Sequence, residues 1–296
     1  EIRFEASLWL TRSYVEKQDF ITAEMELDEL ENDRKFPKHL DVELATVSAD
    51  FYLQQGNYSL ALEQLSKIDK QIKRKRKKVR YNYIMAQIYQ HNNNYRSAKK
   101  KYEQVLKSNP EYEMVFSAKM NLAQSLEAGS RDTDKMRKQL LKMTKDDKNK
   151  EYLDQIYFTL AEMDINNSDT LSAIDNYTLS TVNSVINNSQ KALSFLALAK
   201  IDFNRALYKS SKIYYDSTVF YMSDDFRDYK QAKQKHEILE DLVLHLDIIN
   251  MQDSLQVLAN LPKAELAAII NQIIQDEAKK EREALEEERS KQQMMY

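Results

Sequence analysis

Seven basic side chains crowd the nine residues IKRKRKKVR at positions 72–80. Lys73, Arg74, Lys75, Arg76, Lys77, Lys78 and Arg80 could grip phosphates or neutralise an acidic protein surface. Side chains suited to covalent or metal chemistry are otherwise few. There is no cysteine, which excludes disulfides, thiolate catalysis and Cys-type zinc sites. The four histidines are His39, His91, His236 and His245. No two of them stand four residues apart, and the spacing of the last two does not put them on one helical face. No phosphate-cradling glycine loop, nucleophile elbow, paired-histidine metal motif or dinucleotide fingerprint occurs. The sequence therefore predicts a non-catalytic chain with no catalytic, cofactor-binding or metal-binding residues and no small-molecule substrate.

Composition says what kind of scaffold carries these residues. Of 296 residues, 42% are hydrophobic and 31% charged, which allows a core beneath a heavily solvated surface. Glycine appears only twice, as Gly56 and Gly129, where an average chain of this length carries about twenty. Proline appears three times, as Pro37, Pro110 and Pro262. Hairpin-rich and nucleotide-binding folds need glycine in their turns, so the scarcity predicts helices joined by short polar loops. The net charge of −3 lacks the basic excess of a general nucleic-acid binder. No run of 18 apolar residues exists, so no helical membrane span is expected.

The helices form an array. Residues 86–110, AQIYQHNNNYRSAKKKYEQVLKSNP, carry the small and aromatic residues of a tetratricopeptide repeat in register: Ala86, Tyr89, Tyr95, Ala98, Tyr102 and Pro110. The turn position recurs at Phe20, Tyr58, Tyr95, Thr133, Thr170 and Tyr208, with a period of 37–38 residues. Three residues on stand Ala23, Ala61, Ala98, Met136, Ala173 and Ser211. Four beyond those stand Leu27, Leu65, Tyr102, Leu140, Tyr177 and Tyr215. The small position on each first helix is Thr11, Ala49, Ala86, Ala123, Ala161 and Ala199. A small residue on each helix lets two backbones approach, and stacked neighbours bury the face that one pair leaves open. The fold class is thus all-α, an αα-superhelix of six pairs over 1–222 with C-terminal capping helices.

The fourth pair, LEAGSRDTDKM, has a longer turn and Met136 in place of alanine, so looser packing is expected there. The residues beyond the usual period of about 34 fall mostly between pairs, and KRKRKK is placed at the end of the second pair, before the third begins near Val79. Residues 223–262 read as a loop, a long helix and a separate short helix, DSLQVLANLP, forming an atypical pair or cap. Residues 263–296 read as a long connector helix, apolar to about Ile274 and charged beyond, leading to a C-terminal region outside this segment.

In the repeat frame, the first helix of each pair lines the inner face. That frame nominates Thr46, Asp50 and Gln54 in the second pair. It nominates Arg80, Tyr83, Gln87, Gln90 and His91 in the third, and Phe158 and Glu162 in the fifth. These mixed polar positions suit a peptide or protein surface, and they lack the repeated Lys/Asn clamp of chaperone-type repeats. Nine of the 18 tyrosines already hold packing posts in the frame: Tyr14, Tyr52, Tyr58, Tyr89, Tyr95, Tyr102, Tyr177, Tyr208 and Tyr215.

The second half carries a narrower likeness. Residues 208–262, with YYDST at 214–218 and DSLQVLANLP at 253–262, resemble the PorW/SprE family, as do the KAEL helix that follows and the upstream YNYIMAQIYQ segment. These are tetratricopeptide lipoproteins of the type IX secretion and gliding machinery of Bacteroidota. The resemblance implies an adaptor at the periplasmic side of the outer membrane, required for secretion and gliding. Its implied partners are the outer-membrane translocon and the periplasmic ring subunits. Membrane attachment would come only through a lipid anchor preceding Glu1, since the chain reads as a processed piece. The rival reading is a generic tetratricopeptide adaptor that takes peptides, or nucleic acid, on the basic patch at 73–80.

Overall fold

The computed structural model describes residues 2–69 and 71–294, so Glu1, Lys70, Met295 and Tyr296 lie outside the described residues. Every regular element among the described residues is helical. The chain divides between Leu198 and Ala199 into two compact units.

The first unit holds five antiparallel pairs: α1 (Ile2–Glu16) with α2 (Phe20–Asn32), α3 (Asp41–Gln54) with α4 (Tyr58–Ile68), α5 (Lys75–His91) with α6 (Tyr95–Lys107), α7 (Tyr112–Gln124) with α8 (Arg131–Met143), and α9 (Leu153–Asn166) with α10 (Thr170–Asn183). Helix α11 (Asn188–Asn204) begins a sixth, completed by α12 (Tyr208–Tyr221).

The repeat frame sets the packing. All six small residues on the first helices are buried, from Thr11 and Ala86 at 0% exposed to Ala49 and Ala123 at 2%. Five second helices bury positions i, i+4 and i+7: Ala23/Leu27/Leu30, Ala61/Leu65/Ile68, Ala98/Tyr102/Val105, Ala173/Tyr177/Ser180 and Ser211/Tyr215/Thr218. That spacing keeps three side chains on one face of a helix. Where serine replaces alanine, at 211, its buried hydroxyl donates to the carbonyl of Ala199, 2.9 Å away. Aromatic residues bridge successive layers. Tyr52 packs against the core of the first two pairs and that of the next, and Tyr89 joins the second core to the third.

The turns within pairs repeat one geometry. Gln18, Gly56, Asn93, Ser168 and Ala206 all take positive φ, between 57 and 72°. The next residue's N–H then donates to the carbonyl five residues back, as Asn57 does to Tyr52 and Asn94 to Tyr89, each at 2.8 Å. This reversal satisfies carbonyls left open at the helix end. Asp19, Asn57, Asn94 and Asp169 then cap the second helix, each accepting from the N–H three residues on. Tyr95, at the turn position of the third pair, is not a core residue: it lies 44% exposed, its hydroxyl donating to Asn93 Oδ1 at 2.9 Å.

The fourth pair departs from the rest. Helix α7 ends at Gln124, and six residues rather than three lead into α8. Gly129 takes the positive φ of 68°, and Ser130 caps α8 at Thr133. Contact between α7 and α8 is thin. Helix α8 is held instead against α9, where Arg137 pairs with the buried Asp164.

In the second unit α12 packs on α13 (Tyr229–Ala259). His236 Nδ1 lies 2.8 Å from Asp216 Oδ1, and Lys235 Nζ sits 4.4 Å over the Phe203 ring. The sequence reading placed a break before DSLQVLANLP, but α13 runs unbroken for 31 residues. Neither glycine nor proline interrupts 229–259, so nothing stops the helix until Asn260, just short of Pro262. Helix α14 (Lys263–Met294) follows. Its apolar half is exposed, with Ile269, Ile270, Ile273 and Ile274 facing solvent. No helix among the described residues is long and apolar enough to cross a membrane.

Candidate functional site

Two surfaces of the first unit gather the nominated residues. One is the polar face of the first helices, α3, α5 and α9. The other is the basic run at the start of α5.

On α3, Thr46 donates to the Val42 carbonyl at 2.6 Å, and its oxygen lies 3.0 Å from the Tyr81 hydroxyl on α5. Asp50 is half-buried one turn on. Burial, then the Glu16 carboxylate, raises its carboxyl above the ordinary aspartate value, and the Arg12 and Arg80 guanidiniums pull it back. Gln54 is exposed at the helix end.

On α5 the nominated residues divide into two groups. Tyr83 and Gln90 are tied to neighbouring helices. The Tyr83 hydroxyl accepts from Asn121 Nδ2 on α7 at 2.9 Å. Gln90 Oε1 accepts from the Tyr102 hydroxyl at 2.7 Å, and its Nε2 donates to Gln124 Oε1 at 3.4 Å. Burial raises the Tyr83 and Tyr102 phenols above their ordinary value, so both act as neutral hydrogen-bonding groups. Arg80, Gln87 and His91 are exposed. The His91 ring tilts over Tyr58 with centroids 4.0 Å apart.

On α9, Phe158 meets the edge of Tyr177 at 5.4 Å, and Glu162 accepts the Tyr177 hydroxyl. The first-helix face is thus a set of polar links between layers, Thr46 to Tyr81, Tyr83 to Asn121 and Gln90 to Gln124. Exposed side chains stand between these links. The sequence reading did not nominate Asn121 or Gln124. Gln124 follows Ala123 just as Asp50, Gln87 and Glu162 follow their small residues, so the register held its signal. The irregular turn of the fourth pair masked it.

The basic run sits differently from its expected place. Helix α5 begins at Lys75, four residues before Val79, so Lys75 to Lys78 form its first turn. The second pair ends at Ile68, and Lys73 and Arg74 lie in the connecting loop. The charges therefore stand at the positive end of the helix, not at a carboxyl end where they would be favoured. Arg74 supplies no side-chain cap to the open N–H groups. Two weak ion pairs temper the run: Lys77 to Glu43 at 3.4 Å, and Arg76 to Glu111 at 3.9 Å with both side chains almost fully exposed. Beside it opens a cavity of about 400 Å³ between the start of α5 and the α6–α7 turn. Lys75, Arg76 and Arg80 line one side, and Val79, Pro110 and Met114 supply its apolar wall.

Among the described residues, no three His, Asp or Glu side chains converge as metal ligands would. His236 faces Asp216, and His91 stacks on Tyr58.

No family model matches the chain, and no curated protein does. Among solved structures, the chain is similar to the apo form of the quorum sensor NprR from B. thuringiensis. That likeness has 14% identity and a TM-score of 0.58, over 81% of this chain and 69% of that one. It is also similar to NprR in complex with its cognate peptide NprX, with 15% identity and a TM-score of 0.55, over 93% of this chain and 87% of that one. At such identity the likeness is one of fold: an all-helical stack of consecutive pairs.

Proposed function

We propose that this chain is a non-catalytic protein-interaction scaffold whose first-helix face receives a peptide or a protein surface. The observation that carries this reading is the row of exposed polar side chains, Gln54, Arg80, Gln87 and His91, on helices held to one another by buried alanine contacts and interlayer hydrogen bonds. A face held rigid in this way loses little ordering entropy when a partner binds. A solved neighbour of the same fold is a complex with its cognate peptide, in keeping with such a use.

More narrowly, the chain acts as an adaptor between the type IX secretion translocon and the periplasmic ring subunits, as an outer-membrane lipoprotein facing the periplasm. The support for this is the likeness of residues 208–262 to PorW/SprE proteins. The test is affinity capture from the native envelope with the full-length protein. Translocon or ring subunits are expected in the eluate, and are expected to disappear when residues 1–222 are deleted. Recovery of the same subunits by the deleted form would refute the adaptor role of the repeat pairs.

A further inference from the structure

The cavity beside the basic run has the composition of a docking point rather than of a solvated helix end. Lys75, Arg76 and Arg80 project around it, all exposed. Its wall is apolar, made by Val79 from α5, Pro110 from the turn and Met114 from α7. One carboxylate, Glu111, reaches it, and that group meets only Arg76, at 3.9 Å across solvent. Among the described residues, Lys75 and Arg80 have no ion-pair partner within 4.0 Å. Three exposed cations thus stand around an apolar hollow on a chain whose net charge is −3, with Glu111 across solvent from Arg76 and the half-buried Asp50 within electrostatic reach of Arg80.

The chemistry that complements this site is a carboxylate-rich strand with one bulky apolar side chain. Carboxylates would meet the three cations, and the apolar group would fill a hollow large enough for a leucine or phenylalanine side chain. Nucleic acid fits less well. The lining holds no aromatic side chain on which a base could stack, and the acidic balance of the whole chain opposes a long polyanion. We infer that the cavity between the start of α5 and the α6–α7 turn is a docking site for an acidic peptide segment of a protein partner, anchored by one large apolar residue. This rests on the reading of the chain as a protein-interaction scaffold and gives one of its contacts a chemistry.

The test is fluorescence anisotropy on the full chain, with a labelled oligoglutamate peptide carrying one central leucine. Two comparison ligands accompany it: the same peptide with serine for leucine, and an oligouridine of equal length. The leucine peptide is expected to bind about tenfold more tightly than the serine peptide, from burial of the apolar group. The triple variant K75E/R76E/R80E should weaken it at least about tenfold. All three positions are exposed, and Lys75 and Arg76 open α5 where acidic side chains suit the helix dipole, so the variant's melting temperature should not fall below the parent's. Glu111→Gln removes the one competing carboxylate and should tighten binding. Equal affinity for the leucine and serine peptides would overturn the proposal, as would binding indifferent to the charge reversal, or oligouridine binding more tightly than either peptide. The broader reading fails separately. Envelope capture that survives the triple variant while the peptide does not bind removes the cavity assignment alone. Capture of no subunit by the intact protein removes the scaffold reading whatever the peptide does.

Discussion

Arg137→Met is expected to lower the free energy of unfolding by about 3–5 kcal/mol, because it leaves a buried carboxylate without its counter-charge. Asp164 on α9 has 3% of its side chain exposed. It accepts from the Arg137 guanidinium through one oxygen and from Asn176 Nδ2, 2.7 Å away, through the other. The amide alone cannot offset the desolvation of the charge. The pair also has an architectural task. The fourth repeat pair lacks the small residue on its second helix and makes thin contact within itself, so α8 depends on this link to the fifth pair. Chemical denaturation of the parent, R137M, D164N and the double variant forms a cycle that isolates the pair. The double variant should lose less than R137M alone, since it leaves no charge to strand. A loss below about 1 kcal/mol in R137M would place the pair among ordinary surface bridges.

The second large effect falls in the third pair. Tyr102→Ala should cost about 3–5 kcal/mol by opening a cavity in the core. Tyr102→Phe should cost about 1–2 kcal/mol by leaving the Gln90 carbonyl unmatched. Tyr102 is wholly buried, packs its edge against Tyr83 at 5.9 Å between ring centroids, and donates to Gln90. Because stacked repeats hold one another mainly through nearest neighbours, the alanine variant should also show early proteolytic cleavage around the third pair. Equal stability of the phenylalanine and parent proteins would mean that Gln90 is satisfied by solvent, and would detach the polar links of the face from the core beneath them.

These two residues mark what could be read from the sequence and what could not. The post of Tyr102 follows from spacing alone. A small residue recurring every 37–38 positions with a large one four later can serve only the meeting of two helices, and those positions are the buried ones. The Arg137–Asp164 pair has no such signature. Its members stand 27 residues apart among 91 charged side chains, and only the fold brings them together. The start of α5 was misplaced because a basic run opposes the helix dipole and therefore reads as a loop or a helix end. The propensity of lysine and arginine for helix, with Val79 and Asn82 buried in the turns that follow, outweighs that local cost. The continuity of α13 was missed because polar residues near Gln252 look like a boundary. An exposed helix needs no apolar face there, and no breaker is present. On the candidate face, the nominated positions were legible from register. Their division into Thr46, Tyr83, Gln90, Phe158 and Glu162, engaged with neighbouring side chains, the half-buried Asp50, and Gln54, Arg80, Gln87 and His91, open to solvent, needed side-chain geometry.

The central claim is that partners seat on the first helices of the pairs. Hydrogen exchange of the captured complex, compared with the free protein, measures this directly. Slowed exchange is expected in peptides covering the exposed ends of α3 and α5, around Gln54 and from Arg80 to His91, with the second helices α4 and α6 unchanged. Protection confined to α4, α6 and α10, or none within the repeat pairs, would contradict it.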